Sequence, residues 1–268
     1  MLKLLETFYM AEDTIKQKVR ELLSLPTDYQ KDIYAQRITD QAIDEANHLN
    51  SQLVVPGSER PEMSKNMIDG QTSLDADNLI IDGQQVMQSW QTSLMKAVAD
   101  AAEPEGKNIL EIGYGLGIAS QYVQSYKPEK HTIIECNPTV YANLVQWAKQ
   151  YENIYPVKGL WQDILPTLDR YDSILFDPYP FDENEFQQHW LQDGNFAAHF
   201  FPHAAKHLHP GGTFTYFSNE IDSLSRRHQR QLLQHFSRIE IRIVKDLAPP
   251  PECQYWWASS MIVVKAIK

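Results

Sequence analysis

Glu111-Ile112-Gly113-Tyr114-Gly115-Leu116-Gly117 overlaps the end of an apolar run, Asn108 to Ile112, that reads as a β-strand. Glycine at every second position describes a tight turn whose backbone can approach a ligand at the carboxyl edge of a sheet. The next apolar run, His131 to Glu135, ends in a carboxylate 18 residues beyond Gly117. A strand-end acid at that distance is placed to accept hydrogen bonds from both hydroxyls of a ribose. A dinucleotide fingerprint would require its third glycine at position 118, where the chain has Ile118, so the spacing speaks against a nicotinamide cofactor.

The pattern continues in both directions. Tyr155 to Lys158, Asp172 to Phe176 and Thr213 to Phe217 read as further strands, with Ile239 to Val244 and Ser259 to Ile267 as a closing pair. Helical spacing fills the intervals over Gln84 to Ala102, Ile118 to Tyr126, Pro138 to Tyr151 and Glu183 to His207. Short strands alternating with helices predict an α/β fold, a doubly wound, seven-stranded, mostly parallel Rossmann-like sheet covered on both faces. Upstream, Leu2 to Asn50 suggests two helices broken at Pro26. Asn50 to Asp77, with Pro56, Gly57, Pro61 and Gly70, has turn chemistry without periodicity, as a linker or a lid would. The expected division is a helical extension and lid or linker over 1–77 and the α/β domain over 78–268.

Composition narrows the functions. Twenty-four Lys plus Arg against 35 Asp plus Glu give a formal net charge of −11, which repels phosphate backbones, and Arg226, Arg227 and Arg230 are too small a cluster to offset it. Nucleic acid is therefore not the expected partner. Two cysteines, Cys136 and Cys253, make neither a disulfide framework nor a cysteine-rich zinc site, and His203, His207 and His209 lack a ligand spacing, so no metal is expected. No apolar run approaches the roughly 18 residues that span a bilayer. The N terminus lacks a cleavage site, so the expected location is the cytoplasm.

Two further segments carry chemistry. Lys158-Gly-Leu160-Trp161-Gln162-Asp163 follows the third strand, where Leu160 and Trp161 could sandwich an adenine and Gln162 or Asp163 could read its amino edge. Asp177-Pro178-Tyr179-Pro180 ends the fourth. There a rigid prolyl turn presents a carboxylate able to bond an N–H, beside an aromatic wall suited to a cation.

The E-x-G-x-G-x-G pattern with its following acid resembles motif I of the class I S-adenosylmethionine-dependent methyltransferases. That resemblance implies S-adenosyl-L-methionine as cofactor, with Glu111 near its methionyl end, Gly113, Gly115 and Gly117 admitting it, and Glu135 on its ribose. Asp177-Pro-Tyr-Pro180 resembles the motif IV of amino-group methyltransferases. Together with Ile133-Ile-Glu-Cys-Asn137, Lys158-Gly-Leu-Trp161, Leu208-His-Pro-Gly-Gly212, Gly83 to Trp90 and Leu247 to Cys253, these motifs look like guanidinoacetate N-methyltransferase and the related arginine N-methyltransferases, from about Leu74 to the C terminus.

Such enzymes clamp a guanidinium between the motif IV aspartate and a glutamate after the tryptophan of the leading helix. Asp177 matches the first, while the second is Gln91, following Trp90. The resemblance therefore implies Asp177 as orienter and proton acceptor, Tyr179 and Trp90 as walls, and Gln91 as a neutral partner. Family backbone amides after the fifth strand receive a substrate carboxylate, and here Asn219 and Glu220 stand there. Glu220 would repel an acidic tail by about 1 to 4 kcal/mol at 4 Å, favouring a decarboxylated guanidine or an amine over guanidinoacetate. Three functions follow: N-methylation of a small guanidino or amine compound, methylation of arginine in proteins, or cofactor binding without catalysis in a homodimer paired through the N-terminal helices.

Overall fold

In the structure, a computed structural model, residue 17, residues 60–192 and residues 195–268 are described. The two helices expected over Leu2 to Asn50 lie outside the described residues apart from Gln17.

Seven strands form the main sheet: β4 (Asn108–Ile112), β5 (Lys130–Glu135), β6 (Ile154–Lys158), β7 (Tyr171–Phe176), β8 (Leu208–Phe217), β9 (Arg238–Val244) and β10 (Met261–Ile267), in the order β6-β5-β4-β7-β8-β10-β9. The first five run parallel, and β10 is antiparallel to both β8 and β9. The expected doubly wound sheet is thus present. Strand order reverses beside β4, so a crevice opens at the carboxyl ends of β4 and β7, where ligands of such sheets bind.

Alternation along the strands sorts side chains to two faces. Ile109, Ile133, Leu175 and Val263 join one apolar cluster with Leu94, Met95 and Val98 of α1 (Thr92–Ala102) and Val123 of α2 (Ile118–Ser125). Leu110, Ile134, Ile174, Phe214 and Val264 join another with Phe200 and Leu232. Both faces are buried, so these strands read as near-continuous apolar runs. The remaining α-helices over residues 60–268, among the described residues, are α3 (Pro138–Ala148), α4 (Trp161–Ile164), α5 (Glu183–Glu185), α6 (Phe201–His207) and α7 (Arg226–Leu233). No helix among the described residues is long and apolar enough to cross a membrane.

Two expected helices are corrected. Gln84 to Ala102 is helical only from the 3₁₀ turn at Ser89 onward, because Gln84–Gln88 is a strand, β3, of a second sheet with β1 (Thr72–Leu74) and β2 (Asn78–Ile81). Its cause is the hairpin turn Asp82-Gly83, with φ of 49° and 78°, the left-handed pair that a two-residue loop requires. Glu183 to His207 is broken into α5, a π-helical segment Phe186–Gln192, a 3₁₀ turn Phe196–Phe200 and α6, which restarts with Pro202 in its first turn.

Residues 60–77, expected to lack regular structure, include β1 and are tied down along their length. Arg60 bonds both Glu183 carboxylate oxygens at 2.8 Å, Ser64 and Lys65 donate to Asp82, and the Met67 amide donates to the Phe181 carbonyl at 2.9 Å.

Candidate active site

The glycine turn is shaped by what stands against it. Gly113 has φ of 88°, and a β-carbon there would lie 2.7 Å from the Asp177 carbonyl oxygen, so only glycine lets the β4 and β7 ends meet. At Gly115 the neighbour is Met87 of β3, whose sulfur would be 2.5 Å from an added β-carbon and lies 3.2 Å from the Leu116 amide. The small sheet therefore closes onto the turn directly.

Glu135, at the end of β5, accepts from the Tyr114 amide at 2.9 Å with one oxygen and from the Asn137 amide at 2.7 Å with the other. Burial pushes its carboxyl up, against the opposing effect of those backbone donors. Asn137 caps α3 by accepting from Thr139 and Val140, and donates to the Met67 carbonyl at 2.8 Å and the Thr72 hydroxyl at 2.9 Å. One side chain thus joins the helix, the Glu135 corner and residues 67–72.

One pocket brings together Gly113, Gly115, Glu135, Leu160, Trp161, Gln162, Asp177 and Tyr179 from the expected set. Trp161 is buttressed from behind by Phe200, with ring centres 4.9 Å apart. Asp163 is exposed and does not line this pocket. Gly117 sits one turn away, at the start of α2, against the Tyr114 ring.

Glu111 also lies off the pocket wall. Its oxygens accept from the Ser120 hydroxyl at 2.8 Å, and His131 Nε2 is 2.8 Å away, because its place on β4 alternates it toward α2.

The acceptor side is organised by Asp177. No described residue hydrogen-bonds to its carboxyl, which burial and then the Glu111 charge push up to about 8. Tyr179 donates to Gln84 Oε1 at 3.2 Å, and Arg60 Nη1 donates to the same oxygen at 3.0 Å. Trp90 stacks on Tyr255, with centroids 5.8 Å apart and planes 24° apart. Gln91 is 3% exposed and accepts from the Gln88 amide at 3.0 Å and the Tyr255 hydroxyl at 2.9 Å, so it stands behind Tyr255 rather than on the pocket wall.

Asn219 and Glu220 do not line the pocket either. Glu220 accepts from the Ser225 amide at 3.1 Å and lies 3.0 Å from His228 Nδ1. His228 Nε2 in turn lies 2.5 Å from the Tyr216 hydroxyl. A left-handed Asn219, φ 53°, redirects the chain just before this buried polar row.

Sequence reasoning passed over Met67, Met87, Cys136, Asn137 and Glu185, all on the pocket wall. The signal for Met87 was the Asp82-Gly83 turn. Glu185 accepts from the Phe181 amide and from Gln162 Nε2, the latter at 3.2 Å, and burial pushes it up. Three carboxyl groups, Glu135, Asp177 and Glu185, therefore face a pocket whose described lining includes no lysine or arginine. No cluster of three or more metal-ligating side chains occurs among the described residues.

A ribose-bearing, positively charged cofactor fits these residues. Glu135 faces the pocket as a carboxyl held by backbone amides, the glycine turn leaves room where β-carbons would stand, and Leu160 and Trp161 supply an apolar wall.

Comparison with known proteins agrees. The matched region of "Protein arginine N-methyltransferase 2" from Gibberella zeae is 36% identical over 120 residues, covering 38% of this chain and 27% of that protein. The Saccharomyces cerevisiae protein of the same name is 31% identical over 140 residues, covering 50% and 32%. The matched stretch thus spans less than a third of either relative. Spermidine synthase from Thermotoga maritima shares the fold, with a TM-score of 0.51 and 14% identity over 71% of this chain and 64% of that one. The sequence profile described as "Guanidinoacetate N-methyltransferase" matches residues 58–268, and the chain belongs to that family of S-adenosyl-L-methionine-dependent methyltransferases.

Proposed function

We propose that the protein methylates a nitrogen of a small guanidine or amine that arrives as a cation. The observation that carries this reading is Asp177, a half-buried residue whose carboxyl is pushed up to about 8, without a described hydrogen-bond partner, on the wall of a pocket whose described lining holds two other carboxyls and no basic side chain. When bound, S-adenosyl-L-methionine supplies an electrophilic methyl group. Glu135 would hold the cofactor's ribose, with Leu160, Trp161 and Gln162 around its base.

The remaining work falls to this chain's own groups. A cation beside Asp177 favours the ionised carboxylate, which can then bond an acceptor N–H and orient the lone pair. As the nitrogen forms its new bond to carbon it must release a proton, and a carboxylate in so apolar a setting is a ready acceptor for it. Tyr179, fixed by Gln84, would wall the acceptor, whereas Trp90, expected as a second wall, stacks on Tyr255 and does not line the pocket. Orientation is the larger contribution, up to about 7 to 11 kcal/mol of barrier in well-ordered cases. Gln91 stands off the pocket wall and supplies no second charge there.

A panel of guanidines and amines tests this with Asp177→Asn. Turnover is expected to fall by about 10² to 10⁴, while calorimetric affinity for the cofactor stays unchanged. For a cationic acceptor, ionisation of Asp177 should make the apparent KM fall about tenfold per pH unit up to pH 8 and level above it. Full turnover by Asp177→Asn would overturn the assignment. The names of the fungal relatives support a second reading, methylation of arginine in proteins, and labelled peptide arrays would then light up where the small-molecule panel stays blank.

A further inference from the structure

The main sheet ends in β9, Arg238-Ile-Glu240-Ile-Arg242-Ile-Val244, which pairs with β10 along all seven residues without a register shift. Its outer edge pairs with no described strand. Edges of this kind are ordinarily blunted by proline, lysine, a bulge or shortness. β9 carries three charged side chains, all on one face, but no proline, lysine, bulge or shortness, and on its other face Ile241 and Ile243 are 48% and 39% exposed. They share a face with Ile239, which packs on the cluster containing Leu232 of α7, and Leu233 at the end of that helix is exposed as well. On the opposite face stand Arg238 and Glu240, 3.1 Å apart, and Arg242, 3.1 Å from Asp100; all three are exposed.

We propose that this edge is a self-association surface on which β9 of a second copy pairs antiparallel about a two-fold axis through Ile241. The sequence of the strand is self-complementary in that register. Ile241 meets Ile241, Ile239 meets Ile243, and Glu240 meets Arg242 twice, once on each side of the axis. Moving the axis to Glu240 sets glutamate against glutamate and Arg238 against Arg242, and moving it to Arg242 sets arginine against arginine. Like charges directly opposite are destabilising and opposite charges stabilising, so the pattern selects one register. A closed two-fold contact also consumes the edge completely, leaving none to propagate a fibre. This surface is distinct from the pocket and does not depend on which acceptor is methylated.

Cysteine cross-linking of the full chain reads the register directly. Residues opposed across an antiparallel pair have Cα atoms about 4.5 to 5.5 Å apart, within disulfide reach. Ile241→Cys should form a covalent dimer on mild oxidation. Ile243→Cys should not, since its two copies would lie about 14 Å apart along the strands at roughly 3.4 Å per residue. Wild type under the same oxidation controls for Cys136 and Cys253. Sedimentation velocity should find the unmodified chain dimeric, and Glu240→Arg, an exposed change, should shift it to monomer with circular dichroism unaltered. A monomeric wild type, a dimer indifferent to Glu240→Arg, or equal cross-linking at 241 and 243 would each overturn the proposal.

Discussion

Asp177 shows how a catalytic assignment and a stability cost come from the same burial. Its folded value of about 8 lies above the ordinary 3.8, so the folded protein binds more protons than the unfolded chain between those values. Stability attached to this group is therefore fully present below pH 3.8 and is lost as pH rises to about 8. Asparagine does not titrate. The melting temperature of Asp177→Asn relative to wild type should climb steadily between pH 5 and pH 8 and stay constant above, by roughly 2 to 4 °C for each kcal/mol regained. A gap independent of pH in differential scanning calorimetry would show that the carboxyl is not buried in this way. Its place on the pocket wall was legible because Asp-Pro-Tyr-Pro follows a strand at the carboxyl edge of the sheet. Glu220 was not, since spacing gives no sign of His228 eight residues on, whose Nδ1 lies 3.0 Å from its carboxylate. Gln91 was noticed as a departure, but only the fold shows that its amide holds Tyr255.

Among the elements, the strands β4, β5 and β7 were readable to within a residue because burial on both faces sets two or three adjacent apolar residues in each, between helical stretches. The small sheet escaped detection for the opposite reason: β1 has three residues and β3 is glutamine-rich, so neither offers alternation, and only the Asp82-Gly83 turn marks them. That sheet is joined to the main one through Asn137, and the junction can be measured. Asn137→Ala removes the α3 cap, worth about 1 kcal/mol, together with two donated bonds worth about 0.5 to 1.5 kcal/mol each. Urea unfolding should show a loss of about 2 to 4 kcal/mol. Asn137→Ser keeps a capping oxygen but is too short to reach Met67, so it should lose roughly the donor share alone. Two variants equal to each other and to wild type would mean that the junction contributes nothing.

At the scale of the whole molecule, the sequence told that a ligand binds at the carboxyl edge of a parallel sheet but not that a second sheet faces it. The pocket has one wall of Gly113, Glu135, Leu160 and Asp177 from the main sheet and another of Leu79, Ile81, Val86 and Met87 from the small one, with Met67 beside them. A molecule filling this space touches both bodies, so its binding free energy must be felt by both. Saturation at a hundred times Kd stabilises the bound form by about 2.7 kcal/mol, which for amides that exchange only when the pocket opens is a slowing of about a hundredfold. Hydrogen exchange with added S-adenosyl-L-methionine should therefore slow β2 and β3 together with the glycine turn, while amides of β9, at the far end of the sheet, change much less. Arg60→Ala, which removes the guanidinium bonds to Glu183 and Gln84, should weaken the slowing in β2 and β3 more than in the turn. Protection confined to the turn and β5 would show that the small sheet only borders the site, because a wall that shares no binding energy with the ligand has no reason to close with it.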